Sequence, residues 1–312
     1  MHLKRLLPIL LLCAALASCE KNDPESAFTH RIIAISSSNG IGDQGYVDVT
    51  VLGYERLYAD LDPSAYMHIC TPHSSEEANE LILSNIEKAK DGVPTLIICG
   101  GSDYVDIVER VRTDKSLSAG NVSILLFEVN PLEPALNNLN YHTFLISAYG
   151  ACYDAGQYVA GEGFETPLIW IANPIDRQLD IFRDGFSDGY FKVTGRRPEV
   201  QYLAEDFRGY TMSEEAYQTM PQLSDKYDFI FPLIGGSNLG VYRYLRENPD
   251  GPHVAGMDVD QSRYADNIVG SVIKHTDLAI VDFVNDWIAG KPLPAHSTFD
   301  TSSGYIEWYT AK

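Results

Sequence analysis

Short apolar segments alternate with longer amphipathic segments through the first half of the chain. Each apolar segment is bounded by polar residues or glycine, which is typical of buried parallel strands. The predicted strands are Ile32–Ser36, Tyr66–Cys70, Thr95–Cys99 and Ser123–Phe127. Helical periodicity fills the intervals, and one helix is expected to begin at Ser74, where Glu77 completes a capping sequence. This alternation predicts a doubly wound parallel sheet.

The same alternation restarts in the second half of the chain. The predicted strands there are Leu168–Ala172, Val200–Leu203, Phe229–Ile234 and His253–Met257, with helices between them. The second half is therefore predicted to form a doubly wound unit of its own, of similar size to the first. No internal sequence repeat links the two halves.

One helix is surplus to this second unit. It is predicted over Thr276–Ala289 and is followed by a strand-like segment, Tyr305–Tyr309. We therefore predict an α/β protein with two doubly wound parallel-sheet lobes joined by a multi-crossing hinge. The first lobe is expected to contain residues 30–147 and 276–292, and the second residues 148–275 and 293–312. Ligand pockets form preferentially at such interfaces.

The N-terminal segment has the composition of a bacterial export signal. A basic start, Lys4-Arg5, precedes the apolar run Leu6–Ala17, which is too short to span a bilayer. We predict a signal peptide over residues 1–18, lipidation of Cys19 and a flexible polar tether over residues 19–29. The alternative is an ordinary signal peptide with a chance cysteine. The protein is then expected in the bacterial cell envelope, lipid-anchored on the periplasmic or outer surface.

Composition narrows the classes of partner. The chain has 312 residues and a formal net charge of −20, which disfavours binding to nucleic acid. Beyond the N-terminal segment the cysteines are Cys70, Cys99 and Cys152. We expect buried free thiols, although a disulfide stays possible. No cysteine or histidine spacing is typical of zinc, so no metal or other cofactor is expected.

Small, hydroxyl, amide and acidic residues follow nearly every predicted strand. In doubly wound sheets, ligands bind beyond the carboxyl ends of the strands. Any one such loop could simply turn the chain, but their recurrence favours a binding site. The candidates chosen on this basis are Asp43, Gly101, Ser102, Glu128, Asn173, Phe207, Gly236, Ser237, Asn238 and Asp258.

Several enzyme and cofactor motifs are excluded. Gly40, Gly42 and Gly45 fit the dinucleotide pattern, but Asp43 would place negative charge where a pyrophosphate sits. The segment Gly235–Gly240 is neither a nucleophile elbow nor a phosphate-binding loop. The segment that starts at Asp258 lacks the glycine of a calcium loop. We therefore predict a protein that is not an enzyme.

The chain resembles the basic membrane protein family, the bacterial lipoproteins that include the purine nucleoside receptors. The similarity extends over almost the whole chain and rests on the order of several weak motifs. These are Gly42-Asp43-Gln44-Gly45-Tyr46, Ala155-Gly156, Phe182-x-x-Gly185-Phe186-x-x-Gly189, Gly235–Val241, Gly256-Met257-Asp258-Val259-Asp260-Gln261 and Ser271–Lys274.

The resemblance implies a type I periplasmic binding fold and a role for individual residues. It implies that Asp258 binds ribose hydroxyls, that Lys274 and Asp43 contact the ligand, and that Glu128 faces the base. Tyr46 and Phe207 are expected to form an aromatic clamp. Val47 stands where the family usually has asparagine.

These observations predict a lipid-anchored solute-binding protein that closes on a nucleoside-like ligand and delivers it to an ABC-type permease. One alternative is a sensor of the same fold for a sugar or another small polar molecule. The other is an extracellular enzyme that acts on a nucleotide or sugar. The sequence leaves the identity of the ligand open.

Overall fold

The computed structural model describes residues 20–21, 28–37, 40–101, 104–117 and 119–311. The predicted signal peptide, Cys19, Ser102 and most of the predicted tether lie outside the described residues. Within the tether, Glu20–Lys21 pairs antiparallel with Tyr66–Cys70, and Thr29 donates a backbone hydrogen bond to Ser64. The segment predicted as a flexible tether thus contacts the first lobe at both of its ends.

The first lobe is built on a seven-stranded sheet with the order β1-β3-β2-β4-β5-β6-β12. Its strands are β1 (Glu20–Lys21), β2 (Arg31–Ile35), β3 (Tyr66–Cys70), β4 (Thr95–Gly100), β5 (Val122–Phe127), β6 (Asn140–Ile146) and β12 (His296–Phe299). The helices between them are α1 (Tyr46–Asp60), α2 (Ser75–Lys88) and α3 (Val105–Thr113). All strand pairs except β1–β3 are parallel, so helices cover both faces, as the buried runs of β4 and β5 require.

The second lobe is built on a six-stranded sheet with the order β13-β11-β10-β9-β7-β8. Its strands are β7 (Pro167–Ile171), β8 (Glu199–Tyr202), β9 (Phe229–Leu233), β10 (His253–Asp258), β11 (Ile268–Lys274) and β13 (Ile306–Thr310). Its helices are α4 (Tyr149–Gly161), α5 (Leu179–Thr194), α6 (Ser213–Ser224) and α7 (Asn238–Glu247). Only β13 runs antiparallel to its neighbour. The predicted fold class is confirmed.

The chain passes between the two sheets three times: after β6, after β11 and after β12. The surplus helix, α8 (Thr276–Ile288), packs on α1 of the first lobe. The two helices approach closely at Gly53, where a Cβ atom would lie 2.8 Å from the Cα of Asp277.

One predicted lobe boundary is wrong. The sequence predicts residues 293–312 in the second lobe; β12 instead pairs in parallel with β6 of the first lobe, whereas β13 pairs with β11 of the second. The strand was missed because its sequence, His-Ser-Thr-Phe, is mostly polar and lies at the edge of the sheet. β6 was also missed, since only its last four residues are buried.

None of the helices in the described part of the chain is both long and apolar enough to span a lipid bilayer.

Candidate functional site

A cavity of about 340 Å³ lies between the two lobes, beyond the carboxyl ends of the strands of both sheets. Ligand pockets in proteins fall in this range of volume, and parallel sheets place them at this edge. The structure brings seven of the predicted residues together in its lining: Asp43, Tyr46, Gly101, Glu128, Gly236, Asp258 and Lys274.

Asp43 is held by the beginning of α1. Its carboxylate accepts hydrogen bonds from the backbone N–H groups of Gly45 at 3.0 Å, Val47 at 3.0 Å and Asp48 at 3.2 Å. Helix N-termini leave such donors unpaired and favour negative charge. Burial nevertheless raises the pKa of Asp43 above its usual value, since these bonds only partly offset the loss of water.

Asp258 lies opposite, at the end of β10, in a left-handed conformation with φ of +68°. It is 5% exposed, and no residue of the described chain donates a hydrogen bond to its carboxylate. Burial raises the pKa of Asp258 to about 7; Lys274 opposes this shift, and the charges of Asp43 and Glu128 add to it. A buried carboxylate without donors has unused capacity to accept hydrogen bonds from a ligand.

Gly45 lies between the two carboxylates. A Cβ atom at this position would be 3.4 Å from an Asp258 carboxylate oxygen and 3.8 Å from one of Asp43. The two acidic groups therefore approach the same point from opposite lobes. An added Cβ atom here would be in van der Waals contact with both acidic side chains.

Glu128 and Lys274 form a buried ion pair at the ends of β5 and β11. Glu128, with φ of +60°, accepts a hydrogen bond from the backbone N–H of Ile146 at 3.2 Å through its other oxygen. The Lys274 ammonium also lies 5.4 Å from the centre of the Phe182 ring. Lys274, the only lysine among the described residues of the cavity lining, thus has its charge balanced, and Asp43 and Asp258 leave the site acidic.

Aromatic side chains form part of the cavity wall. Tyr46 packs against Phe127 with ring centres 6.4 Å apart, and Phe182 and Tyr210 contribute from the second lobe. The Tyr210 hydroxyl donates a hydrogen bond to Asp176 at 2.8 Å, which orients that ring.

The structure does not place Phe207, the second predicted ring of the aromatic clamp, in the cavity lining. Its ring is 45% exposed and outside the cavity lining, and it stacks on Tyr210 at 6.4 Å. The short helical turn Phe207–Tyr210 directs the tyrosine, three residues later, into the cavity. Tyr210 and Phe182 line the cavity, but the sequence did not identify either as a ligand contact; Phe182 appears there only as part of a family motif.

Three further candidates form hydrogen bonds with the backbone inside the second lobe and do not line the cavity. Asn173 accepts hydrogen bonds from the backbone N–H groups of Ile175 and Asp176, and so shapes a turn. The Ser237 hydroxyl donates to the carbonyl of Gly209, and Asn238 donates to that of Pro232. The structure therefore does not place these three side chains in the cavity lining, and their contact with a ligand stays a prediction.

The chemistry of this lining suits hydroxyl groups and a flat ring. Two carboxylates offer strong acceptors for donated hydrogen bonds, and the aromatic rings offer apolar surface. Within the described residues, no group of three or more His, Cys, Asp or Glu side chains could hold a metal ion.

Comparison with known sequences identifies relatives along most of the chain. A family model for ABC transporter substrate-binding proteins of the PnrA-like type (Bmp) matches residues 32–309. Basic membrane protein A1 of Borrelia garinii subsp. bavariensis is 25% identical over 292 residues, which cover 91% of this chain and 80% of that protein. Basic membrane protein C of Borreliella burgdorferi is 27% identical over 143 residues, 44% of this chain and 39% of that protein.

Solved structures share the fold. An ABC transporter solute-binding protein from Aeropyrum pernix superposes with a TM-score of 0.70 at 19% identity, over 89% of this chain and 76% of that one. A periplasmic binding protein/LacI regulator from Alkaliphilus metalliredigens, complexed with D-xylulofuranose, superposes with a TM-score of 0.62 at 15% identity, over 90% and 97%. At these identities the superpositions establish architecture alone.

Proposed function

Since this chain belongs to the PnrA-like family of ABC transporter substrate-binding proteins, we propose that it binds a nucleoside-like ligand between its lobes and delivers it to an ABC-type permease. The observation that carries the proposal is the pair of facing carboxylates, Asp43 and Asp258, in a cavity with aromatic walls.

A nucleoside fits each part of this lining. The hydroxyl groups of a ribose are donors that satisfy the Asp258 carboxylate, which has no donor within the described protein. A base can lie against the rings of Tyr46, Phe182 or Tyr210; such stacking contributes roughly 1–3 kcal/mol per base. The acidic lining disfavours phosphorylated ligands, because their charge would be repelled.

Ligand binding and closure are coupled through the position of these residues. Asp43 and Tyr46 belong to the first lobe, and Asp258 and Phe182 to the second. A ligand that contacts both sets stabilises the closed arrangement, by as much as its affinity differs between the open and closed states. The protein itself carries out no reaction in this proposal.

We also propose that the N-terminal segment directs export and that lipid on Cys19 holds the protein at the bacterial envelope. This proposal is supported by the sequence around residue 19, where a basic start, an apolar run and small residues precede the cysteine. Radiolabelled palmitate incorporated into the wild-type chain but not into Cys19→Ala would test it.

Thermal-shift screening tests the ligand class. A ligand that binds only the native state raises Tm by mass action, so nucleosides, bases, sugars and amino acids are compared at equal concentration. We expect nucleosides to raise Tm most. If only a sugar raises it, the nucleoside proposal is wrong and binding of a sugar, as in the Alkaliphilus complex, replaces it. Conversion of the ligand would instead favour the enzyme alternative.

Two variants locate the site. Asp258→Ala should abolish the ligand-induced rise in Tm while the protein stays folded. Asp250→Ala is the matched control, since that exposed aspartate precedes β10, at the opposite end of the strand from Asp258, and lies outside the cavity lining, so its loss should leave the ligand-induced rise unchanged. An unchanged affinity in Asp258→Ala would show that the site lies elsewhere.

A further inference from the structure

The side chain of Gln261 is buried. It lies next to the cavity but is not part of the cavity lining. It is 2% exposed and follows β10 by three residues. Its backbone N–H donates to the Ser271 hydroxyl at 3.1 Å, and its side-chain oxygen accepts from the backbone N–H of Met257 at 2.9 Å and from the Tyr242 hydroxyl. The residue is therefore firmly held inside the second lobe.

The amide nitrogen of the Gln261 side chain forms a hydrogen bond with the first lobe. The Gln261 Nε2 atom donates a hydrogen bond to the backbone carbonyl of Gln44 at 2.9 Å. The orientation of the amide is fixed from both ends, because the Met257 N–H can only donate and the Gln44 carbonyl can only accept.

This one side chain thus connects the backbone beside one acidic residue to the backbone beside the other. Met257 immediately precedes Asp258, and Gln44 immediately follows Asp43. The backbone is in the left-handed region at both places, with φ of +55° at Gln44, next to Asp43, and +68° at Asp258 itself. Such backbone conformations persist only where surrounding bonds hold them.

The strand is shaped to accommodate this arrangement. A Cβ atom at Gly256 would lie 2.8 Å from the Cβ of Gln261 and 2.4 Å from the Ser271 hydroxyl. Only glycine leaves the room that Gln261 needs beside β10. Gly256 therefore fixes the place from which the amide reaches across the cleft.

We propose that Gln261 is a positioning residue that holds Asp43 and Asp258 opposite each other and stabilises the closed arrangement without touching the ligand. The proposal rests on the closing mechanism described under the proposed function. It adds that closure has a contribution from the protein alone, which opposes the repulsion between the two carboxylates. Loss of this contribution weakens the binding of every ligand by the same factor.

Small-angle X-ray scattering of the ligand-free protein tests this without knowledge of the ligand. Gln261→Met keeps the length of the side chain and removes its polar atoms. Gln261→Glu, measured at pH 8, keeps an acceptor for Met257 and Tyr242 and places a carboxylate oxygen where the donor was. Both should raise the radius of gyration, through a roughly two- to tenfold fall in the closed-to-open ratio, as expected for one lost hydrogen bond.

Tyr242→Phe is the matched control. It removes a bond to Gln261 within the second lobe and leaves the bond to Gln44, so the radius of gyration should stay at the wild-type value. The proposal is overturned if Gln261→Glu scatters like the wild type, or if Tyr242→Phe expands the protein as much as the Gln261 variants. Because no ligand is added, failure of the nucleoside proposal would leave this result interpretable.

Discussion

Asp43 and Asp258 approach the same point of the cavity from opposite lobes, yet their hydrogen bonding differs. Asp43 accepts three backbone hydrogen bonds at the beginning of α1, whereas Asp258 receives none from the described residues. The first carboxylate therefore contributes to the fold as well as to the cavity. The second costs stability while the cavity is empty, and a ligand with hydroxyl donors removes that cost.

Replacement of Asp258 should give the largest change in stability. Asp258→Asn keeps the shape and removes the buried charge, so the ligand-free protein should gain on the order of 2–4 kcal/mol in free energy of unfolding at pH 8. Urea unfolding measures this gain. Equal or lower stability of the variant would show that the wild-type carboxylate is better solvated than its surroundings indicate.

The gain in free energy of unfolding from Asp258→Asn should depend on pH. The pKa of Asp258 is raised in the folded protein from 3.8 to about 7, so its protonated form favours folding. That contribution is fully present below pH 3.8 and is lost as the pH rises through 7. The stability difference between Asp258→Asn and the wild type should therefore widen from pH 5 to pH 8 and then level off; a constant difference would assign the gain to another cause.

Replacement of Asp43 should have a smaller effect of the opposite sign. Asp43→Ala leaves three N–H groups at the beginning of α1 without their acceptor, and loss of a helix cap costs about 0.5–2 kcal/mol. The melting temperature of the ligand-free protein should fall, whereas Asp258→Ala, the same chemical change on the other lobe, should raise it. Shifts of the same sign in both variants would contradict the comparison.

The architecture could be predicted because its strands are buried on both faces. Runs such as Thr95–Gly100 carry a continuous apolar signal, and their spacing specifies a parallel sheet. His296–Phe299 carries no such signal, since an edge strand can be polar and its position depends on a partner far away in sequence, β6. The lobe boundary therefore needed the structure.

The sequence predicts which residues lie at the ends of strands, but not which of their side chains face the cavity. The sequence places Ser237 and Asn238 at a strand end, but it does not show whether a small polar side chain faces the cavity or bonds the backbone behind it. Phe207 and Tyr210 lie in one helical turn, and the sequence alone does not decide which ring turns inward. The contact between Gln261 and Gln44 joins residues on opposite lobes, which no local pattern can reveal.

The three passages of the chain between the lobes have a consequence for how the protein matures. α8 and β12 complete the first lobe, and β13 closes the edge of the second, so both sheets stay unfinished until residues beyond 276 are available. Such long-range pairing slows folding. A chain that emerges from a ribosome or a translocation channel therefore cannot finish the first lobe until most of the second has been made, and the second is finished only when the last strand arrives.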